Sequence, residues 1–568
     1  MKHYKLIAMG CAAILASLLG GSAAYSQDPN GVGSWLPVPN NGWPDNSNGI
    51  EAIHMVHLPT SQLLVWSVTD WENHEDTTYK TFSLDTFTLS EPTTVSLGNM
   101  FCAGHTHLFD GTVFVAGGHH SKWINQFYWD EQHQPWNYAD GMMEANQFSG
   151  ATGSWTAKDM MAWKRWYPTC TVLPDGQVLV NGGSYVTEHL DGQGRIDRFD
   201  THFVHAPELF NRTASTGSQW SQVQLNNSGS VPFWYYPFIF VLPSGKIFYA
   251  GPEILLGYPG EFDATPRASL VLDLSESAST RKWRLMGQSA GAGFMGGSAV
   301  MYEPGKVFKS GFPKDHPGSE TNKAAFIDCT IGTPEWTQLA TMNANRSMHS
   351  STMLPDGSIL ITGGCTSGSE GQILESNAVL SAENYRPGTT WTHLTFASMQ
   401  TPRLYHSTAM LLPDARVLVA GGEENGGAKS VRKNAEIFEP PYLHTNVPRP
   451  IISTGTPSSV VAGHGIKIYC NNPNTIDKIS WIKLGAVTHA FDQDQRFIPG
   501  PPKSEWTTGT DVVGHYIQIT APLNTVGNRY APPGHYMLFI MTQTTAWGRT
   551  EYVPSVAKYL QILSPIGL

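Results

Sequence analysis

The chain has 568 residues, with 35 Lys or Arg against 46 Asp or Glu and a net charge of −11. An acidic balance without a basic stripe excludes nucleic acid as the main partner. Charged residues make up 14% and aromatics 11%, with 56 Gly and 38 Pro, which is the composition of a turn-rich all-β protein long enough for a large and a smaller domain.

The N-terminus reads as an export signal over residues 1–26. Lys2, His3 and Lys5 precede an apolar run from Leu6 to Leu19, and small residues from Gly20 to Ala24 lead to Gln27. The run is too short for a membrane span, and no later stretch reaches the roughly 18 apolar residues a span needs. Cys11 follows too little apolar sequence for a lipoprotein signal. The mature chain is expected to be secreted or periplasmic, monomeric and without a span. It keeps Cys102, Cys170, Cys329, Cys365 and Cys470. An odd count in an oxidising compartment leaves at least one thiol without a disulfide partner.

Next comes a repeated phrase: an apolar run, a tight turn, a second apolar run and often Gly-Gly. It appears as LFDGTVFVAGG, VLPDGQVLVNGG, MLPDGSILITGG and LLPDARVLVAGG, with weaker copies HLPTSQLLVWS, VLPSGKIFYAG and VMYEPGKVFKSG. Each copy is expected to be a hairpin with a two-residue turn, where Asp-Gly supplies positive φ. The turns lie near Ser61, Asp110, Asp175, Ser244, Pro304, Asp356 and Asp414, separated by 49 to 69 residues. That spacing predicts a seven-bladed kelch-type β-propeller over residues 27–445. Trp155 and Trp336 are expected in blade cores, and the Trp129 and Trp136 stretch after Trp123 as a surface loop. Prolines 440, 441, 448 and 450 mark the end of the propeller. The alternating runs GIKIYC, KISWIKL, HYIQITAP and HYMLFIM then predict an immunoglobulin-like β-sandwich over 446–568.

Propellers carry functional side chains on the loops that enter the inner strands. FCAGHTH, RWYPTC, NRSMHSS and RLYHST enter four of the hairpins. They present a thiol, a phenol, an imidazole and an adjacent phenol–imidazole pair. With no carboxylate cluster this is a poor calcium or magnesium site, and it suits copper or iron better. The usual zinc spacings are absent. His105 and His107, two apart on a strand, are further candidate ligands, and His349 reads as structural.

In this order, FC…G, RWYPT…LPDG, RLYHS…LLPD, THAFDQDQRFIP and APPGHYMLFIM resemble the copper radical oxidases, the family of galactose oxidase and glyoxal oxidase. RWYPT and RLYHS are closer to the glyoxal oxidase branch. The resemblance implies a thioether between Cys102 and Tyr167, and one copper ion held by Tyr167, Tyr405, His406 and His489. His489 would be delivered by the sandwich domain on a hairpin along the propeller axis. Sulfur ortho to the phenol donates electron density and eases formation of a Tyr167 radical. Tyr405 is placed as general base. Two imidazoles and two phenolates suit tetragonal Cu(II) with one open position. The implied reaction oxidises a small-molecule or glycan alcohol, or an aldehyde, and reduces O2 to H2O2. The four remaining cysteines would form up to two disulfides or stay as thiols.

Two positions depart from galactose oxidase. Tyr185 follows Gly182-Gly183-Ser184, where that enzyme has a Trp over the thioether, so Tyr185 is expected to cover the cofactor. Met348 stands where that enzyme has an aromatic pocket residue. Both point away from galactose. The rival readings are a non-catalytic kelch propeller that binds glycans or proteins, which has no need of Cys102 beside two Tyr and His elements, and an oxidase of different specificity on the same scaffold.

Overall fold

The computed structural model describes residues 28–565, apart from 69–75, 123–137, 191–195, 227–230, 234, 252–268, 288–295, 313–321, 369–371 and 425–429. The export signal and the Trp129 and Trp136 loop lie outside the described residues. Among those described there is no α-helix, only short 3-10 turns, and no helix is long and apolar enough to cross a membrane.

Each of the seven hairpins is the inner pair of its own antiparallel sheet. The innermost strands are His54–Leu58, Gly104–His107, Trp166–Val172, Ile239–Val241, Ser298–Glu303, Ser350–Met353 and Thr408–Leu411. Six loops differ from the two-residue turn expected, and Pro304-Gly305, between the paired Glu303 and Lys306, keeps it. Leu108 O accepts from Gly111 N at 3.0 Å, and Leu108 N donates to Thr112 O at 2.8 Å. Leu173, Gly176 and Gln177 repeat the pattern. This is a three-residue loop, so only its last residue needs positive φ. Gly111, Gly176, Gly245 and Gly357 supply it at φ 82 to 86, while Ser61 (57) and Ala415 (71) adopt it without being glycine. Asp110, Asp175, Asp356 and Asp414 each accept from the backbone N–H two residues on, which fixes the turn.

The innermost strands stand side by side. Thr408–Leu411 touches both Ser350–Met353 and His54–Leu58, and Trp166–Val172 touches Gly104–His107 and Ile239–Val241. Ser34–Pro37 adds the outer strand of the last sheet by pairing with Ala435–Glu439. Close approach between sheets explains the Gly-Gly pairs: a Cβ on Gly117 would lie 2.4 Å from Arg165 O of the next sheet. Trp155 packs against Phe148 at 5.1 Å, and Trp336 is 4% exposed, both within sheet cores.

Three sheets share a buried brace. Arg165, Arg346 and Arg403 enter the third, sixth and seventh hairpins. Each donates to a Gly-Gly carbonyl of its own sheet (Gly182, Gly363, Gly421) and to a glutamate on the third strand (Glu208, Glu383, Glu436). Arg346 and Glu383 are both fully buried, with the side chains 2.7 Å apart. Arg346→Ala strands a buried carboxylate and is expected to cost about 3–5 kcal/mol, read from denaturant unfolding. A loss under about 1 kcal/mol, the value of an exposed pair, would show that Glu383 is satisfied without the arginine.

After Glu439 a 3-10 turn at Pro441–His444 leads into two further sheets, one centred on Gly534–Ala546 and one joining Gly465–Tyr469, His515–Thr520 and Thr507–Thr510. Their facing sides bury Ile466, Ile468, Trp481, Ile517, Ile519 and Leu538, while the outward residues of His515–Thr520 stay exposed or half-buried, as in a β-sandwich. From this sandwich a hairpin, Ala486–Thr488 with Phe491–Asp492, enters the propeller. It pairs with His54–Val56 and touches the innermost strands of the second, fifth, sixth and seventh sheets. Its turn residues His489 (φ 46) and Ala490 (φ 67) are both left-handed, as a two-residue I′ turn requires.

Candidate metal centre

The hairpin repeat itself places the site. Eight residues ahead of the turn residues Thr60, Asp110, Asp175, Ser244, Pro304, Asp356 and Asp414 stand Ala52, Cys102, Tyr167, Tyr236, Gly296, Met348 and His406. The last six all have positive φ: Cys102 60, Tyr167 62, Tyr236 45, Gly296 81, Met348 55 and His406 63. A left-handed residue costs a non-glycine side chain about 1–3 kcal/mol and persists where the surroundings hold it. Here it turns the chain into each inner strand at one level of the ring.

Side chains from that level meet the axial hairpin. Cys102, Tyr167 and Tyr236 share a buried cluster with Ile53 and Phe101. Tyr167 OH lies 2.8 Å from Tyr405 OH. Cys102 Sγ lies 3.8 Å from His489 Nε2, and ligand atoms of Cys102, His406 and His489 fall within 4.8 Å of one another. The His489 ring is 4.6 Å from His406, 5.0 Å from Tyr167 and 5.4 Å from Tyr405. Burial, then the neighbouring Cys102 and Tyr405, pushes the Tyr167 phenol well above its ordinary range, and burial does the same to the Cys102 thiol.

Both histidines are locked in one tautomer. His406 Nδ1 donates to Glu423 Oε1 at 2.7 Å, which leaves Nε2 as a lone pair. That Nε2 is buried and has no hydrogen-bond partner among the described residues. Thr488 Oγ1 donates to Ile53 O at 2.9 Å, so it accepts from His489 Nδ1 at 2.6 Å, and His489 Nε2 is likewise the lone-pair atom. Two phenols and two imidazole lone pairs therefore converge with no cationic side chain of the described residues among them. This donor set fits a borderline metal ion. Behind His406, Glu51 and Glu423 line a cleft of about 590 Å³ with Lys80 and Lys433. Burial, then Glu423, pushes the Glu51 carboxyl well up.

Residues 309–442 match the family described as Glyoxal oxidase N-terminus, and residues 449–562 match Galactose oxidase-like, Early set domain. A galactose oxidase of Gibberella zeae is 27% identical over 485 residues, which cover 83% of this chain and 62% of that protein. An aldehyde oxidase GLOX of Vitis pseudoreticulata is 28% identical over 426 residues, covering 70% of this chain and 72% of that one. The chain is thus similar to galactose oxidase and to glyoxal-oxidase-type aldehyde oxidases. A fungal alcohol oxidase solved in complex with copper shares the fold, with a TM-score of 0.69 at 21% identity, covering 94% of this chain and 99% of that one.

The structure brings Cys102, Tyr167, Tyr405, His406 and His489 together and leaves the other candidates elsewhere. Tyr185 stacks on His202 at 5.2 Å and lies 5.9 Å from Trp163. The rings on Tyr167 are instead Trp166 at 4.4 Å, Tyr235 at 4.7 Å, Tyr236 and His489. Both nitrogens of His107 donate to oxygens, Nδ1 to Asp494 and Nε2 to His57 O, so no lone pair is left for a metal. His105 Nε2 meets His54 Nδ1 at 3.1 Å. His349 bonds Ser310 Oγ at 2.9 Å, a structural role, and burial pushes it down to about 3. Met348 is buried and packs near Tyr405. Among the described residues Cys102, Cys170, Cys329, Cys365 and Cys470 are free, so no disulfide joins the last four. Reading the sequence missed Glu423, Thr488 and His54. Of these only Glu423, next after Gly421-Gly422, sits at a repeat landmark.

Proposed function

We propose that this chain is a copper radical oxidase. Tyr167, Tyr405, His406 and His489 would hold one copper ion, and Cys102 would be joined to Tyr167 as a thioether. The reaction is oxidation of a primary alcohol or aldehyde with reduction of O2 to H2O2. The observation that carries this is the meeting of Tyr167, Tyr405 and the two Nε2 lone pairs beside a buried thiol. The names of the relatives, galactose oxidase and aldehyde oxidase GLOX, agree with it. The match spans only 62% of the galactose oxidase, so substrate and partners belong to the proposal.

When bound, copper supplies a Lewis-acid position for the substrate oxygen and one-electron redox chemistry. The protein does the rest. Tyr405 is half-buried and Tyr167 buried, so Tyr405 faces the approach side. With the oxygens 2.8 Å apart, Tyr405 takes a hydroxyl proton while the crosslinked Tyr167 radical takes a hydrogen atom from the same carbinol carbon. Glu423 and Thr488 hold the two imidazoles in register. Trp166, Tyr235 and Tyr236 crowd Tyr167 and keep water off it. Export behind residues 1–26 and a division near residue 445 are part of the same proposal.

The test is to load the copper-free chain with Cu(II) in air and follow intact mass and gel mobility. Wild type is expected to lose two hydrogens and change mobility, and Cys102→Ser to do neither. Identical behaviour of the two proteins sinks the cofactor. A peroxide assay over alcohols and aldehydes then assigns the substrate.

A further inference from the structure

Cys102 sits in a left-handed conformation at φ 60, and its backbone N–H bonds a side chain rather than a strand partner. A side chain 48 residues earlier in the sequence accepts that hydrogen: His54 Nε2 lies 3.0 Å from Cys102 N, and both residues are fully buried. Because Cys102 N–H can only donate, His54 Nε2 must carry the lone pair, and Nδ1 the proton. His54 Nδ1 then donates to His105 Nε2 at 3.1 Å. The His54 ring lies flat on Trp66, with centroids 4.6 Å apart and planes 2° from parallel. Trp66 Nε1 in turn donates to Met100 O at 3.0 Å, two residues ahead of the thiol. His105 is held from the axial segment, where Gln493 Oε1 accepts its backbone N–H at 3.2 Å. His54 is also the strand partner of Thr488, the residue that orients His489.

We propose that His54 is a positioning residue for cofactor formation, holding the strained Cys102 backbone so that Sγ faces the Tyr167 ring. The proposal rests on the copper radical oxidase reading. In the step it serves, the Cys102 S–H bond and one Tyr167 ring C–H bond break and one S–C bond forms. The two electrons and two protons released pass to dioxygen, giving hydrogen peroxide. Losing a backbone anchor leaves the thiol free to sample conformations that point away from the ring. Fewer molecules are then poised for bond formation, although none of the four proposed ligands is replaced.

The experiment uses the full chain, made without copper, then given Cu(II) and dioxygen while intact mass reports the loss of two hydrogens against time. His54→Phe keeps a flat ring against Trp66 but accepts no hydrogen bond. It is expected to crosslink about tenfold more slowly or worse, the usual size of an outer-shell loss, with copper binding near wild type. His54→Gln restores an acceptor and is expected to stay within about threefold of wild type. His105→Leu leaves His54 in place but frees its tautomer, and serves if His54→Phe does not fold. It too is expected to crosslink more slowly than wild type. Wild-type rates in His54→Phe or in His105→Leu, or a His54→Gln as slow as His54→Phe, would overturn the role assigned to His54 and leave the copper reading standing. A wild-type chain that never loses two hydrogens overturns both.

Discussion

Tyr405→Phe is expected to keep the metal and lose the turnover. The Tyr405 ring stacks on His406 with centroids 3.9 Å apart, and its backbone is tied to Glu423 through Glu423 N and Tyr405 O at 2.9 Å. A phenylalanine therefore keeps its place, and only the phenol oxygen disappears. That oxygen lies 2.8 Å from Tyr167 OH and is positioned on the approach side of the proposed site. Removing a positioned proton acceptor lowers turnover by about 10²–10⁴-fold. Peroxide release measures the turnover, and copper content after dialysis shows that Tyr167, His406 and His489 still hold the ion. The Cys102–Tyr167 mass change should still appear, since neither crosslink partner is altered. A variant within about tenfold of wild type, with copper retained, would show that Tyr405 is not the base.

The sequence made the centre legible because most of it is written in the repeat. Cys102, Tyr167 and His406 occupy one register position of the hairpin unit, so counting back from the turn finds them without any structure. His489 lies outside the repeat and was reached only through the resemblance. Tyr185, expected over the cofactor through the resemblance, shows where a position carried over from a relative fails. The strand Val178–Leu190 does not stop at the sheet edge but runs on to pair with Ile196–Phe203, and this carries the Tyr185 ring to His202. Tyr235, from the next repeat and one residue ahead of its register position, stands against Tyr167 instead. His54 and Glu423 escaped for a related reason. His54 acts across sheets and Glu423 across its own hairpin on His406, 17 residues earlier, and neither a lone histidine on a strand nor a glutamate after Gly-Gly announces such a partner. The turn type was misjudged because Asp-Gly fits both a two-residue I′ turn and a three-residue loop ending in a left-handed glycine. Only the hydrogen bond from Leu108 N to Thr112 O separates them.

The axial segment yields the second large effect. Asp494 lies five residues beyond His489, fully inside the propeller, and accepts from Thr106 Oγ1, His107 N and His107 Nδ1, each at 2.6 Å, and from the Lys483 ammonium. Burial alone would push its carboxyl up. The Lys483 ammonium and the His107 hydrogen bonds outweigh this and hold it well below the usual carboxylate range. A depressed folded value means the carboxylate contributes its full stabilisation above the unfolded value, near pH 4, and loses it as pH falls toward the folded value. Asp494→Asn removes the charge, turns an amide N–H₂ toward donors, and leaves the buried Lys483 ammonium without its counter-charge. The expected cost is about 3–5 kcal/mol. The loss falls between the sandwich and the second sheet, so the two parts should unfold in separate thermal transitions, and copper affinity should fall because His489 rides on the same hairpin. Below about pH 4 the difference from wild type should shrink, since wild type then gives up the same interaction. A variant that melts in one transition at the wild-type temperature, with unchanged acid dependence, would show that strand pairing to His54–Val56 is enough to seat His489.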